Sequence, residues 1–136
     1  MTSATYAMPA AASTTTPLGI AVGDSVVFDR TAPAGVIVAS PANPTGTMLL
    51  PEELAAIARW CEANGVQLVS DEIYHGIEYP APGQPSLSRS AWETSREAVV
   101  FSSFSKYFSM TGWRIGWMLV PERLRRPVDV LTGNFT

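Results

Sequence analysis

The 136 residues predict an α/β fold on a mainly parallel sheet, and three observations carry that prediction. Residues 36–39 (Val-Ile-Val-Ala), 66–69 (Val-Gln-Leu-Val) and 99–101 (Val-Val-Phe) are short apolar runs, the signature of strands buried on both faces. A helical pattern fills the space between the first two runs, which makes them parallel neighbours joined by a crossover. Each run is followed at once by a polar cluster, as in open parallel sheets that bind ligands beyond the carboxyl ends of their strands.

Residues 1–35 differ from the rest. They are rich in alanine, carry the run Ser13-Thr14-Thr15-Thr16 and hold one base, Arg30. This composition predicts a low-complexity, poorly ordered segment, with residues 25–28 as its one candidate strand. From residue 36 to 136 the pattern is that of a folded domain. Ser40-Pro41-Ala42-Asn43-Pro44-Thr45-Gly46 breaks the first strand with two prolines and a glycine, a turn in which a cis peptide is expected.

Pro51-Glu52-Glu53 opens a helix, with proline in the first turn and acids near the positive end of the helix dipole. Leu54, Ile57, Ala58 and Cys61 form its apolar face, and Asn64-Gly65 closes it. Residues 80–90, with three prolines, predict a loop, and residues 91–97 one or two helical turns. Residues 113–120 predict a fourth strand, ended by Pro121, in which Trp113 and Trp117 pack. Three or four parallel strands with one firm helix leave apolar surface uncovered, so the chain reads as part of a larger domain.

Composition narrows the function. The chain is 46% apolar with a net charge of -3, which disfavours nucleic-acid binding by bulk charge. No apolar run is long enough to cross a membrane and no basic leader opens the chain, so a cytoplasmic protein is expected. One cysteine, Cys61, and one histidine, His75, leave no cysteine or histidine cluster for a metal, and none is expected. Lys106 is the only lysine.

The three polar clusters bring an amide (Asn43), a carboxylate (Asp71), a phenol (Tyr74), hydroxyls (Ser103, Ser105), an amine (Lys106) and a guanidinium (Arg114) to one rim. This set suits an aromatic, phosphorylated, carbonyl-bearing cofactor better than a hydrolase triad, which would want a histidine beside its nucleophile. The segments Asn43-Pro44-Thr45-Gly46, Asp71-Glu72-Ile73-Tyr74 and the run from Ser103-Phe104-Ser105-Lys106 to Arg114-Ile115-Gly116 resemble the three signature blocks of class I/II aminotransferases. The blocks stand in the family's order and spacing, and the similarity runs from about residue 36 to residue 120.

The resemblance implies a fragment of the large domain of a fold type I, pyridoxal-5'-phosphate-dependent aminotransferase. Lys106 would form the covalent imine with the cofactor aldehyde and move the proton from the substrate α-carbon. Asp71 would pair with the pyridine nitrogen and keep it protonated. Tyr74 and Asn43 would hydrogen-bond the phenolic oxygen. Arg114 would grip the phosphate with its planar fork, and Ser103 and Ser105 would add hydroxyls. The substrates implied are an amino acid and a 2-oxo acid, and the assembly a homodimer. Another pyridoxal phosphate reaction such as β-elimination, or an inactive remnant, stands as the alternative. Glu72 and Cys61 read as structural, His75 as a packed or hydrogen-bonding residue, and Arg123, Arg125 and Arg126 as solvated surface.

Overall fold

The computed structural model describes residues 6–8 and 33–134; the strand expected at 25–28 lies outside them. Among these residues five strands form one sheet in the order β1 (Tyr6–Met8), β2 (Gly35–Ala39), β3 (Gln67–Asp71), β4 (Val99–Ser103), β5 (Gly116–Leu119). The pairs β2–β3 and β3–β4 are parallel, whereas β1 and β5 run antiparallel to their neighbours. The sheet is thus mixed, with the expected parallel centre.

Helix α1 (Pro51–Ala63) links β2 to β3. Its first turn begins at Pro51, and the Glu53 carboxylate accepts the Leu50 backbone N–H at 2.7 Å, which satisfies a donor the helix leaves unpaired. Gly65 ends it with φ of +67°, a conformation that glycine adopts without strain. Leu54, Ala58 and Cys61 form the buried stripe and pack with Val36, Val38, Leu68 and Val100 into one core. Ile57, Trp60 and Trp92 pack at its edge. Burial raises the Cys61 thiol from 9.0 to about 11, so this side chain is an uncharged core filler.

Helix α2 (Ala91–Thr94) is the single turn expected after the 80–90 loop, with Ser90 as its N-cap. Two expectations fail. Burial alternates along β2 and β3, so these strands are sealed on one face and only half-buried on the other. The cause is that α1 and α2 both feed the core on the Val36–Leu68–Val100 side. The fourth predicted strand is shorter than residues 113–120 and antiparallel. Trp113 belongs to a 3-10 turn, Thr111–Trp113, and Arg114 takes left-handed φ before β5 begins. A parallel return needs a crossover, usually a helix, and the short looped connection after β4 supplies none. Trp113 and Trp117 are 69% and 45% exposed and are not packed core residues.

Helix α3 (Glu122–Thr132) follows Pro121 and was not anticipated, because Pro127 sits inside it. It is tied to the sheet by Arg123, which donates to Glu97 Oε2 at 2.9 Å and to Gln67 Oε1 at 2.6 Å. No helix among the described residues is long and apolar enough to cross a membrane.

Candidate functional site

Parallel pairing brings the ends of β2, β3 and β4 to one rim. Ala39, Asp71 and Phe101 lie side by side in register, so the segments that follow them leave the sheet together. After β2, residues 40–46 fold into a turn in which Gly46 N–H donates to Ala42 O at 2.7 Å and Ala42 N–H to Thr47 O at 2.9 Å. Both Ser40-Pro41 and Asn43-Pro44 are cis, as the sequence led us to expect of this turn. Asn43 Nδ2 donates to the Tyr74 hydroxyl at 3.1 Å.

After β3, Asp71 stands half-buried at the strand end and accepts the Ile73 N–H at 3.1 Å through Oδ1. Glu72 N–H donates to Phe101 O at 2.9 Å, and Glu72 O accepts His75 N–H at 3.1 Å, which closes a tight turn with Tyr74 at its third position. The Glu72 side chain points into the protein. His75 Nδ1 lies 3.5 Å from Glu72 Oε2.

After β4, Ser103 Oγ accepts Ser105 N–H at 3.1 Å, and Ser105 is buried while its own carbonyl accepts Thr111 Oγ1 at 3.0 Å. This pair shapes the loop that carries Lys106. The Lys106 ammonium lies 5.5 Å from the centre of the Tyr74 ring, within cation–π range. Arg114 is exposed and uses Nη1 to hold Thr111 O at 2.9 Å. Tyr74 therefore touches both Asn43, through its hydroxyl, and Lys106, through its ring. Asp71, Ser103, Ser105 and Arg114 stand on the segments around them.

Two open grooves flank the rim. One, of about 430 Å³, is lined by Asn43, Met48, Tyr74 and Ile77. The other, of about 370 Å³, is lined by His75, Ser103, Tyr107 and Trp117. Asn43 and Tyr74 line the first and Ser103 the second, while Asp71, Ser105, Lys106 and Arg114 line neither.

Gly76 was missed by sequence reasoning. Its φ is +84°, and a Cβ there would come within 2.7 Å of the Tyr107 ring, so the Tyr74 turn and the Lys106 loop touch through a residue that has no side chain. The signal available was a glycine directly after the Asp71–His75 segment, where a turn demands positive φ.

The family model for aminotransferase class I and II matches residues 24–136. Valine–pyruvate aminotransferase of Mycobacterium tuberculosis is 67% identical over 102 residues, which are 75% of this chain and 26% of that protein. Aspartate aminotransferase of Geobacillus stearothermophilus is 39% identical over 101 residues, again 26% of its length. Among solved structures, an aminotransferase from M. tuberculosis superposes with a TM-score of 0.70 at 66% identity, covering 76% of this chain and 28% of that one. Aspartate aminotransferase of Thermus thermophilus with maleate superposes with a TM-score of 0.65 at 32% identity, covering 72% and 25%. The chain spans about a quarter of the length of the curated relatives it matches. On the family match over residues 24–136 and the superposition on a solved aminotransferase, the chain belongs to the class I and II aminotransferases.

Proposed function

We propose that this chain carries the pyridoxal-phosphate centre of an aminotransferase, which moves an amino group between an amino acid and a 2-oxo acid. The residues at the rim fit that cofactor chemically. Its anionic phosphate, phenolic oxygen, ring nitrogen and aldehyde call for a cation, hydroxyl and amide donors, a carboxylate and an amine, and one rim offers all of them.

The observation that carries the reading is the Asn43–Tyr74–Lys106 group. Because Asn43 Nδ2 donates to the Tyr74 oxygen, the phenol's own proton is left to be given to a third atom. Ser103 is disposed in the same way: its Oγ accepts from Ser105 N–H and keeps a hydroxyl proton to donate. Arg114 commits Nη1 to Thr111 O, out of a guanidinium that bears five N–H donors and suits a phosphate. Asp71 Oδ1 accepts the Ile73 N–H, which fixes the orientation of a carboxylate suited to pair with a ring nitrogen.

When bound, pyridoxal phosphate supplies an aldehyde that captures amines and a ring that draws electrons from the substrate α-carbon. Lys106 Nζ would hold that aldehyde carbon with loss of water and, once released by the incoming amino acid, would move the proton at the α-carbon. Tyr74 and Asn43 would orient the phenolic side, Asp71 the nitrogen side, and Arg114, Ser103 and Ser105 the phosphate. Homodimeric assembly and a cytoplasmic location form part of the same proposal, on the family's habit.

Valine and pyruvate are the substrate pair to test first, because they name the 67% identical relative. The expected outcome is alanine plus the 2-oxo acid of valine, with turnover lost in Lys106→Ala. Full turnover in Lys106→Ala contradicts the proposal, and release of ammonia without amino transfer would reassign the reaction to elimination.

A further inference from the structure

Glu72 is a charged-type side chain that the proposed chemistry leaves unused, yet it is only 3% exposed. Its Oε1 accepts three hydrogen bonds: from Ser70 Oγ at 3.0 Å, Ser90 Oγ at 3.2 Å and the Ala91 backbone N–H at 2.8 Å. Its Oε2 faces His75 Nδ1 at 3.5 Å. These partners come from β3, from the residue that caps α2, from α2 itself and from the far end of the turn. The Glu72 backbone is fixed as well, through its N–H to β4 and its carbonyl to His75 N–H.

Strand alternation sends the Asp71 and Glu72 side chains to opposite sides. Glu72 is anchored inward while Asp71 and Tyr74 are left at the rim. Tyr74 is held in a turn that begins at Glu72. A buried carboxylate with this many donors is costly to remove, because each donor would be left without a partner.

We infer that Glu72 is a positioning residue for the cofactor centre: it bolts the turn that presents Asp71 and Tyr74, and thereby sets the Tyr74 hydroxyl against Asn43. The inference rests on the proposed function only where the cofactor is used as a readout. The placement of Tyr74 is testable without cofactor.

Three variants separate positioning from general stability. Glu72→Ala removes the acceptor. Glu72→Gln keeps an oxygen that can accept from Ala91 N–H and the serines. Cys61→Ala opens the core elsewhere. In the cofactor-free chain, the Asn43 side-chain amide resonances report its bond to Tyr74. They are expected to shift in Glu72→Ala and to stay near wild type in Glu72→Gln and Cys61→Ala. With pyridoxal phosphate, the apparent Kd is expected to rise about tenfold in Glu72→Ala and to change less than about twofold in the other two. Unshifted Asn43 resonances in folded Glu72→Ala, or an equal shift in Cys61→Ala, overturn the inference. If Glu72→Ala does not fold, the double variant Ser70→Ala with Ser90→Ala removes two of the three donors, and a smaller Asn43 shift is expected; none would overturn the inference. Failure of the wild-type chain to capture cofactor would count against the proposed function alone, since the Asn43 readout is independent of it.

Discussion

Glu72, at the start of the turn after β3, is 3% exposed and gathers three hydrogen bonds, whereas Lys106, Tyr107 and Phe108 on the neighbouring loop after β4 are all exposed. The lysine loop is held by short-range backbone bonds, Ser109 N–H to Lys106 O and Met110 N–H to Phe104 O, and by aromatic pairs at 5.2 Å and 5.0 Å. One half of the rim is thus set by buried polar bonds to other elements, and the other by its own local winding. The difference matches the tasks proposed for the two halves. Groups that orient a ring gain from being fixed in advance, and the lysine proposed to act both as anchor and as proton carrier stands on the exposed loop.

The largest way to break this contrast is to remove the support beneath the fixed half. Leu68, 2% exposed in β3, fills the core under the Asp71 turn. Leu68→Ala is expected to cost about 3 kcal/mol in a urea titration. A loss below about 1 kcal/mol would mean that the turn does not depend on this core.

Gly76 offers a sharper test, since it is where the two halves meet. Gly76→Ala would force a side chain into left-handed φ, at about 1–2 kcal/mol, and would also push against Tyr107. Adding Tyr107→Ala relieves the second penalty and leaves the first, so the double variant should be more stable than the two single effects summed. Simple additivity would show that the halves are not in contact there.

The smallest effect concerns the loop beyond Tyr74. Burial pushes the Glu78 carboxyl up, but bonds from the Ser86 hydroxyl and the Gly76 backbone N–H lead the contacts that outweigh it and bring the value from 4.5 down to about 2. A lowered folded value means stability that is present above about 4.5 and lost as pH falls through about 2. The contribution is modest because the group is only partly buried. Glu78→Gln should flatten the acid limb of a stability–pH curve; an unchanged limb contradicts the assignment.

Much of the parallel centre was legible, because apolar runs and helical spacing report burial directly. Residues 36–39, 66–69 and 99–101 lie in or overlap strands β2, β3 and β4, and α1 begins at the expected Pro51. The antiparallel return of β5 was not legible, since strand direction depends on the connection and the 104–115 segment carries no periodicity that announces a bend. Helix α3 was hidden by Pro127, a local helix-breaking signal that lies inside it. At the rim, the residue types were readable but their couplings were not. That Asn43 meets Tyr74 and that Glu72 meets Ala91 depends on folding that brings distant segments together.

Because Lys106 is the only lysine in the chain, the central claim reduces to the fate of one amine. Incubation with pyridoxal phosphate, reduction with borohydride and mass mapping of the peptides tests it directly. The account predicts one pyridoxyl group on Lys106, absent in Lys106→Ala. A label confined to the amino terminus, or no label at all, would contradict it.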